Sequence, residues 1–219
     1  MHRFALLIVS LMVWGPMHLA MGAEASRTIG DESVTLLGIR IGTHLFKDVT
    51  ARLGKAEPWH TGDAGLAESK LCYRAPSPDG EVIVVFASNS EMAVPRFKVT
   101  AVRIYSPKVP FSARRRCAVL NVDASELRTE NGLALGLSPE KFQEILWPKR
   151  RSKNGSLHYD TCRNRYMEKN DPYFSRWVGR AECFSNPARP YVTECSGVEA
   201  HFDKNTATFL EVARGDSVC

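Results

Sequence analysis

The chain has 219 residues, enough for one large domain or two small ones. Hydrophobic residues make up 44% of it and charged residues 24%, which excludes a disordered or fibrous chain. The formal net charge of +5 is too small to indicate nucleic-acid binding, so we expect no nucleic-acid partner. No run approaches the ~20 apolar residues of a membrane-spanning helix, so we expect no span in the mature protein.

Residues 1–25 have the pattern of a secretory signal peptide. Arg3 supplies the positive start, residues 5–13 are apolar, and small residues precede the predicted new N-terminus at Ser26. Cleavage after Gly22 is the competing site, and an uncleaved anchor or a buried helix is the alternative to a signal peptide. The pattern predicts a periplasmic or secreted protein.

The six cysteines all follow this segment, and an even number in an exported chain predicts disulfides. They are Cys72, Cys117, Cys162, Cys183, Cys195 and Cys219. We expect Cys72 to pair with Cys117 and the other four to pair in the second half of the chain. Structural zinc is the alternative, but it needs closely spaced ligand pairs, and the nearest approach is His158 to Cys162. We therefore expect no metal and no cofactor.

A cysteine–histidine enzyme is a further alternative, because four histidines remain after the signal segment. They are His44, His60, His158 and His201. A nucleophilic thiolate must be free and activated, whereas cysteines in an oxidising compartment pair. The sequence also lacks the Gly-x-Ser-x-Gly, His-Glu-x-x-His and phosphate-loop motifs. No catalytic residue is assigned.

Two similar segments indicate an internal repeat. Gly38 and Gly42 recur 94 positions later as Gly132 and Gly136, and a short helical pattern follows each pair. Glycine permits the tight turn by which a chain enters a helix lying across its own sheet. The predicted division is a signal peptide over 1–25, a first module over 26–110, a connector over 111–130 and a second module over 131–219.

The helices are predicted between Thr43 and Gly54 and between Ser138 and Pro148. Thr43 and Ser138 are candidate N-caps, Gly54 is a candidate C-terminal residue, and Pro139 suits a first helical turn. Apolar residues recur at helical spacing in both segments. They are Leu45, Phe46, Val49 and Leu53 in the first, and Phe142, Ile145 and Leu146 in the second.

Alternating and apolar runs predict the strands. They cover residues 68–74, 81–87, 98–106, 157–163, 176–184 and a hairpin over 198–212 that turns at Lys204-Asn205. In the hairpin, Thr208, Leu210 and Val212 are expected on one face. The fold class is thus α+β, with two tandem modules, each a short helix packed on an antiparallel sheet and held by disulfides.

The segment Gly38-Ile39-Arg40-Ile41-Gly42-Thr43, followed by Val49 and by Leu53-Gly54-Lys55, resembles the opening of helix-then-sheet modules in bacterial envelope proteins, including small outer-membrane-assembly lipoproteins. The tandem form with disulfides resembles the secreted β-lactamase inhibitor protein family. The resemblance implies binding to a protein, as an inhibitor or an assembly factor. Lipid attachment is not implied, because the first cysteine is Cys72.

These observations predict an exported, non-enzymatic protein that binds another envelope or secreted protein through a sheet face. Along residues 97–105 both strand faces are partly apolar, so we expect a helix to cover one face and a partner the other. Exposed aromatic residues would line such a face; the alternative is that they fill the cores. The candidates are Trp59, Trp147, Trp177, Tyr73, Tyr105, Tyr159 and Tyr191.

Two other functions remain as alternatives. One is an exported enzyme with an unrecognised site. The other is an envelope module that binds anionic lipid or glycan through the basic segments Arg114–Arg116 and 149–153.

Overall fold

The computed structural model describes residues 29–62, 67–89, 97–146, 155–170, 174 and 190–217. Several predicted features lie outside the described residues. They are the signal peptide over 1–25, the strand over 176–184, the basic segment over 149–153, Cys183, Cys219, Trp147, Trp177 and Pro148.

The described residues form two α-helices and ten strands, so the protein is mixed α and β with sheet predominating. In chain order they are β1 Thr35–Leu36, β2 Ile39–Arg40, α1 Phe46–Leu53, β3 Trp59–Thr61, β4 Glu68–Ser77, β5 Gly80–Asn89, β6 Ala101–Tyr105, β7 Ala118–Val119, α2 Pro139–Leu146, β8 Ser156–Tyr166, β9 Tyr191–Asp203 and β10 Thr206–Ser217. Short 3-10 turns occupy Asp31–Val34, Arg114–Arg116 and Ala124–Glu126.

The main sheet has the strand order β3-β4-β5-β6-β10-β9-β8 and is antiparallel throughout this path. The strand β7 adds to β4 in parallel. Strands from the two halves of the chain meet where β6 pairs with β10, and there Arg103 lies opposite Glu211. Strands of both halves therefore belong to one continuous main sheet, while β1 and β2 pair in a separate two-stranded sheet.

Helix α1 lies within the predicted segment, but its N-cap is Leu45 and not Thr43. The Leu45 N–H donates to the Asp48 carboxylate at 2.8 Å, so a side chain inside the first turn reaches back to the N-cap residue, and Thr43 does not cap the helix. The C-cap is Gly54 with φ 95°, as predicted. Val49 and Phe46 are buried, whereas Leu45 and Leu53 are half-buried.

Helix α2 begins at Pro139, and the Lys141 N–H donates to the Ser138 hydroxyl at 3.3 Å, so the predicted cap is confirmed. Phe142 is fully buried and packs edge-to-face on Phe202, with 5.5 Å between ring centroids. Leu146 is buried and Ile145 is half-buried against the same core.

One face of the sheet packs under the two helices and forms the main core. Tyr73 of β4 and Phe86 of β5 meet edge-to-face there at 6.0 Å, and both are fully buried. The Tyr73 hydroxyl donates to the Gly54 carbonyl at 2.8 Å, which fixes the end of α1 to the sheet. Burial raises the pKa of Tyr73 to about 12. Tyr73 and Tyr159 thus lie in the core, which agrees with the alternative prediction that the aromatic residues fill the cores.

Two strand predictions need correction. The strand predicted over 98–106 begins only at Ala101, because Val99 exchanges backbone hydrogen bonds with Gly42 and His44 beside α1. In β10 a bulge between residues 207 and 209 shifts the alternation. Ala207 is therefore buried where we expected Thr208, which is half-buried.

Two disulfides join described cysteines, and no described cysteine is free. The predicted bridge between Cys72 and Cys117 is confirmed, and it ties the connector to β4. The second bridge joins Cys162 to Cys195, which lie opposite each other in β8 and β9.

Candidate functional site

The sheet face opposite the helices is the candidate site, and we call it the open face. Strand alternation places every second residue there. From β4 to β8 these are Lys70, Cys72, Arg74, Ile83, Val85, Ala87, Ala101, Arg103, Tyr105, Phe209, Glu211, Ala213, Gly197, Glu199, His201, Ser156, His158 and Asp160.

Over β4 and β5 the open face is covered by the connector. The Cys72–Cys117 disulfide, Ile83 and Val85 form a second small core there. Phe111 and Trp59 pack on it, and Phe111 reaches Tyr105 with 5.1 Å between ring centroids. The first half of the open face is thus occupied by the chain itself, which the sequence did not predict.

An ion-pair cluster occupies the centre of the open face. Arg103 donates two hydrogen bonds to the Glu68 carboxylate at 2.9 and 2.8 Å, and its Nε donates to Glu211 at 3.0 Å. Lys70 lies 3.1 Å from Glu68. All of these side chains are mostly buried, so solvent screens the cluster less than it screens surface pairs. The arrangement joins β4, β6 and β10 in one rigid polar surface.

An aromatic strip lies beside this cluster and runs from β6 to β9. It consists of Tyr105, Phe209 and His201, whose neighbouring rings lie 5.1 and 4.9 Å apart. Phe209 is half-buried and His201 is exposed. Burial raises the pKa of the Tyr105 hydroxyl, which therefore stays protonated and can donate a hydrogen bond.

The β8 and β9 part of the open face has an acidic character. The Glu199 carboxylate lies 2.7 Å from His201 Nε2, and Asp160 lies 3.5 Å from His158 Nε2. Both histidines are exposed. Glu199 and Asp160 thus supply two carboxylates to this part of the face.

The pKa of Glu68 is lowered from its ordinary value of 4.5, chiefly by the hydrogen bonds from Arg103. A carboxyl with a lowered folded pKa stabilises the protein above its unfolded pKa, and this stability is lost as the pH falls through the folded pKa. As the pH falls below about 4.5, we expect the free energy of unfolding to decrease. This group contributes at most about 1.4 kcal/mol per pH unit to the decrease. The Glu68→Gln variant should have a flatter acid limb, measured by urea unfolding between pH 7 and pH 3.

Glu57→Gln is the matched control, because Glu57 is a surface residue whose side chain is 77% exposed. Its acid limb should coincide with that of the parent protein. An unchanged acid limb in the Glu68 variant contradicts the role of the Arg103 cluster in stability.

The other predicted site residues are dispersed. His44 accepts a hydrogen bond from the Arg40 N–H at 2.9 Å, and His60 lies 2.8 Å from the Ser69 hydroxyl. Neither histidine lies beside a free thiol, since the described cysteines are paired. No group of three or more metal-ligating side chains gathers among the described residues. No described helix is long and apolar enough to cross a membrane.

No family model, no curated protein and no solved structure matches this chain. The resemblance to the β-lactamase inhibitor family therefore stays a prediction.

The central ion pairs were not predicted from the sequence, although one signal was present. Arg103 is a charged residue between Val102 and Ile104 in an otherwise apolar strand, and such a residue needs a partner when its strand is covered on both sides. Its partners, Glu68 and Glu211, are 35 and 108 residues away, beyond the reach of a local pattern.

Proposed function

We propose that this is an exported, non-enzymatic protein that binds another envelope or secreted protein through the open face. The observation that supports it is the aromatic strip of Tyr105, Phe209 and His201 beside the Arg103 cluster. Rigid aromatic side chains next to fixed polar groups are typical of binding hot spots.

The charges of the open face define the chemistry of the partner. Glu199 and Asp160 favour a basic side chain, while the aromatic strip favours an apolar or aromatic one beside it. The partner surface therefore combines an apolar and a basic residue. The resemblance described above suggests either inhibition or assembly as the outcome of binding.

We also infer that the fold consists of two tandem modules. Support comes from the glycine pairs, because Gly38, Gly42, Gly132 and Gly136 all have positive φ, between 71° and 94°. The Gly42 N–H donates to Val99 before β6, and the Gly136 N–H donates to Ala207 in β10. Each pair precedes a helix of eight residues.

Export is the third element of the proposal. The two disulfides are compatible with an oxidising compartment outside the cytoplasm. Intact-mass analysis of the native protein tests export: we expect a chain that begins near Ser26 or Ala23, and a product that retains residues 1–25 contradicts it.

The binding proposal is tested by affinity capture from the native envelope with the oxidised chain as bait, followed by mass spectrometry and measurement of the affinity for the captured protein. We expect Phe209→Ala and His201→Ala each to weaken that affinity at least about tenfold, as hot-spot residues do. The sheet should remain folded, because Phe209 and His201 lie outside the main core.

Lys141→Ala, on the exposed side of α2, is the matched control and should bind as the parent protein does. Equal binding by all three variants contradicts the open face as the interface.

Lipid recognition is the alternative that the basic segment Arg114–Arg116 offers. Arg114 lies 4.0 Å from Glu81, while Arg115 and Arg116 are exposed. Binding to anionic vesicles that is lost in an Arg115→Gln/Arg116→Gln variant, with no captured protein, replaces our proposal by lipid recognition.

A further inference from the structure

A cleft of about 390 Å³ opens at one end of the sheet, apart from the open face. It lies where β6 ends and β10 begins, next to the β4–β5 turn. Its volume falls in the range of about 300–1,000 Å³ that is typical of small-molecule sites. The floor is apolar and includes Val82, Leu127 and Ala207, all of them buried.

Ser106 provides the first indication of a ligand. Its N–H donates to the Thr208 carbonyl at 2.9 Å and its carbonyl accepts from the Val109 N–H at 3.0 Å. Its hydroxyl oxygen is buried and has no hydrogen-bond partner in the described part of the chain. A buried hydroxyl without a partner is costly, and rotation of the Ser106 side chain toward the cleft that it lines would let this hydroxyl pair with a polar ligand group.

The charge of the cleft provides the second indication. Lys108 and Arg128 line it, and neither forms an ion pair with any residue that the structure describes. The Nε and one Nη of Arg128 donate to the Ser125 carbonyl at 2.9 and 2.6 Å, which holds the guanidinium in place. Asp79 is the one carboxylate of the described lining, so the two cations exceed the anions by one charge.

We propose that this cleft binds a small organic carboxylate with an apolar body. The carboxylate lies between Lys108 and Arg128 and accepts a hydrogen bond from the Ser106 hydroxyl. The apolar body packs on Leu127 and Ala207. The guanidinium of Arg128, held by Ser125, and the Lys108 ammonium favour a carboxylate over a neutral head group, and the apolar floor favours a chain over acetate.

Octanoate is the probe, and isothermal titration of the oxidised chain is the measurement. We expect saturable binding of one octanoate per chain. Acetate, which lacks the apolar body, and 1-octanol, which lacks the charge, should bind at least about tenfold more weakly. The Lys108→Gln/Arg128→Gln variant should also bind octanoate at least about tenfold more weakly than the parent. The Ser106→Ala variant should bind it about threefold more weakly.

Lys55→Gln removes a surface lysine that is 87% exposed and far along the chain from the cleft, and it should bind octanoate as the parent does. Absence of saturable binding overturns the proposal, as does equal binding of 1-octanol or of the double variant. If circular dichroism shows that the double variant does not fold, the Ser106→Ala variant and the three probes still decide. Amide shifts on octanoate addition must include Ser106, Lys108 and residues 125–128; shifts confined to other segments overturn the assignment.

Discussion

The Val49→Asp variant is expected to lose its folded structure. Val49 is 0% exposed in α1 and belongs to the core that α1 forms with the sheet. A carboxylate there has no partner among the apolar side chains around it, and an unpaired buried charge costs several kcal/mol. Since whole domains are stable by only about 5–15 kcal/mol, this loss is comparable to the total. Circular dichroism and urea unfolding measure it.

Lys47→Asp is the matched control, because it places the same side chain two residues away on the exposed side of α1. Its urea midpoint should remain close to that of the parent, since exposed substitutions usually change stability by less than about 0.5 kcal/mol. A Val49→Asp protein that unfolds at the parent's urea concentration contradicts the burial of this helix face.

The helices were predictable because their signals are local. The spacing of Phe46 and Val49, the glycine after Leu53 and the Ser138-Pro139 start all lie within the segments that they define. The prediction that Thr43 caps α1 was wrong because Thr43 and Asp48 both lie within reach of the first turn. Sequence does not decide between two such polar side chains when the entry path of the chain is set by contacts with residues 97–99.

The joining of strands from both halves of the chain into the main sheet was not predictable in the same way. The pairing of β6 with β10 brings together residues more than 100 positions apart, and no periodicity encodes which edges meet. The same holds for the connector, where Cys117 and Phe111 cover Val85 on the open face. Each segment shows only that it has an apolar side, not which segment covers it.

For the candidate site, the sequence predicted the two-sided character of the strand before Ser106, and binding through a sheet face stays a prediction. The residues now assigned to the aromatic strip came from different strands, and only Tyr105 was among the aromatic candidates. Phe209 was placed on the outer side of the hairpin by its alternation, and the structure confirms this. Its contact with Tyr105 depends on the β6–β10 pairing and was therefore outside the reach of the sequence.

Removal of the Cys72–Cys117 disulfide is expected to cost about 4 kcal/mol, from the entropy of a loop closed by a 45-residue separation. The test variant is Cys72→Ala/Cys117→Ala, because alanine introduces no unsatisfied polar group at two buried positions. Urea unfolding of the parent and the variant gives the difference. Alkylation of the parent without reduction should label neither cysteine, since both are paired.

The matched control is Cys162→Ala/Cys195→Ala, whose bridge closes a separation of 33 residues and should cost a similar amount by the same entropy. The two variants differ in what else they release. Loss of the Cys72–Cys117 bridge frees the connector from Ile83 and Val85, so this variant should also bind a hydrophobic dye such as anilinonaphthalene sulfonate. The control variant should not, because Cys162 is exposed and joins two strands that already pair along their length. Equal dye binding by both variants, or parent-like stability of the first, contradicts the small core under the connector.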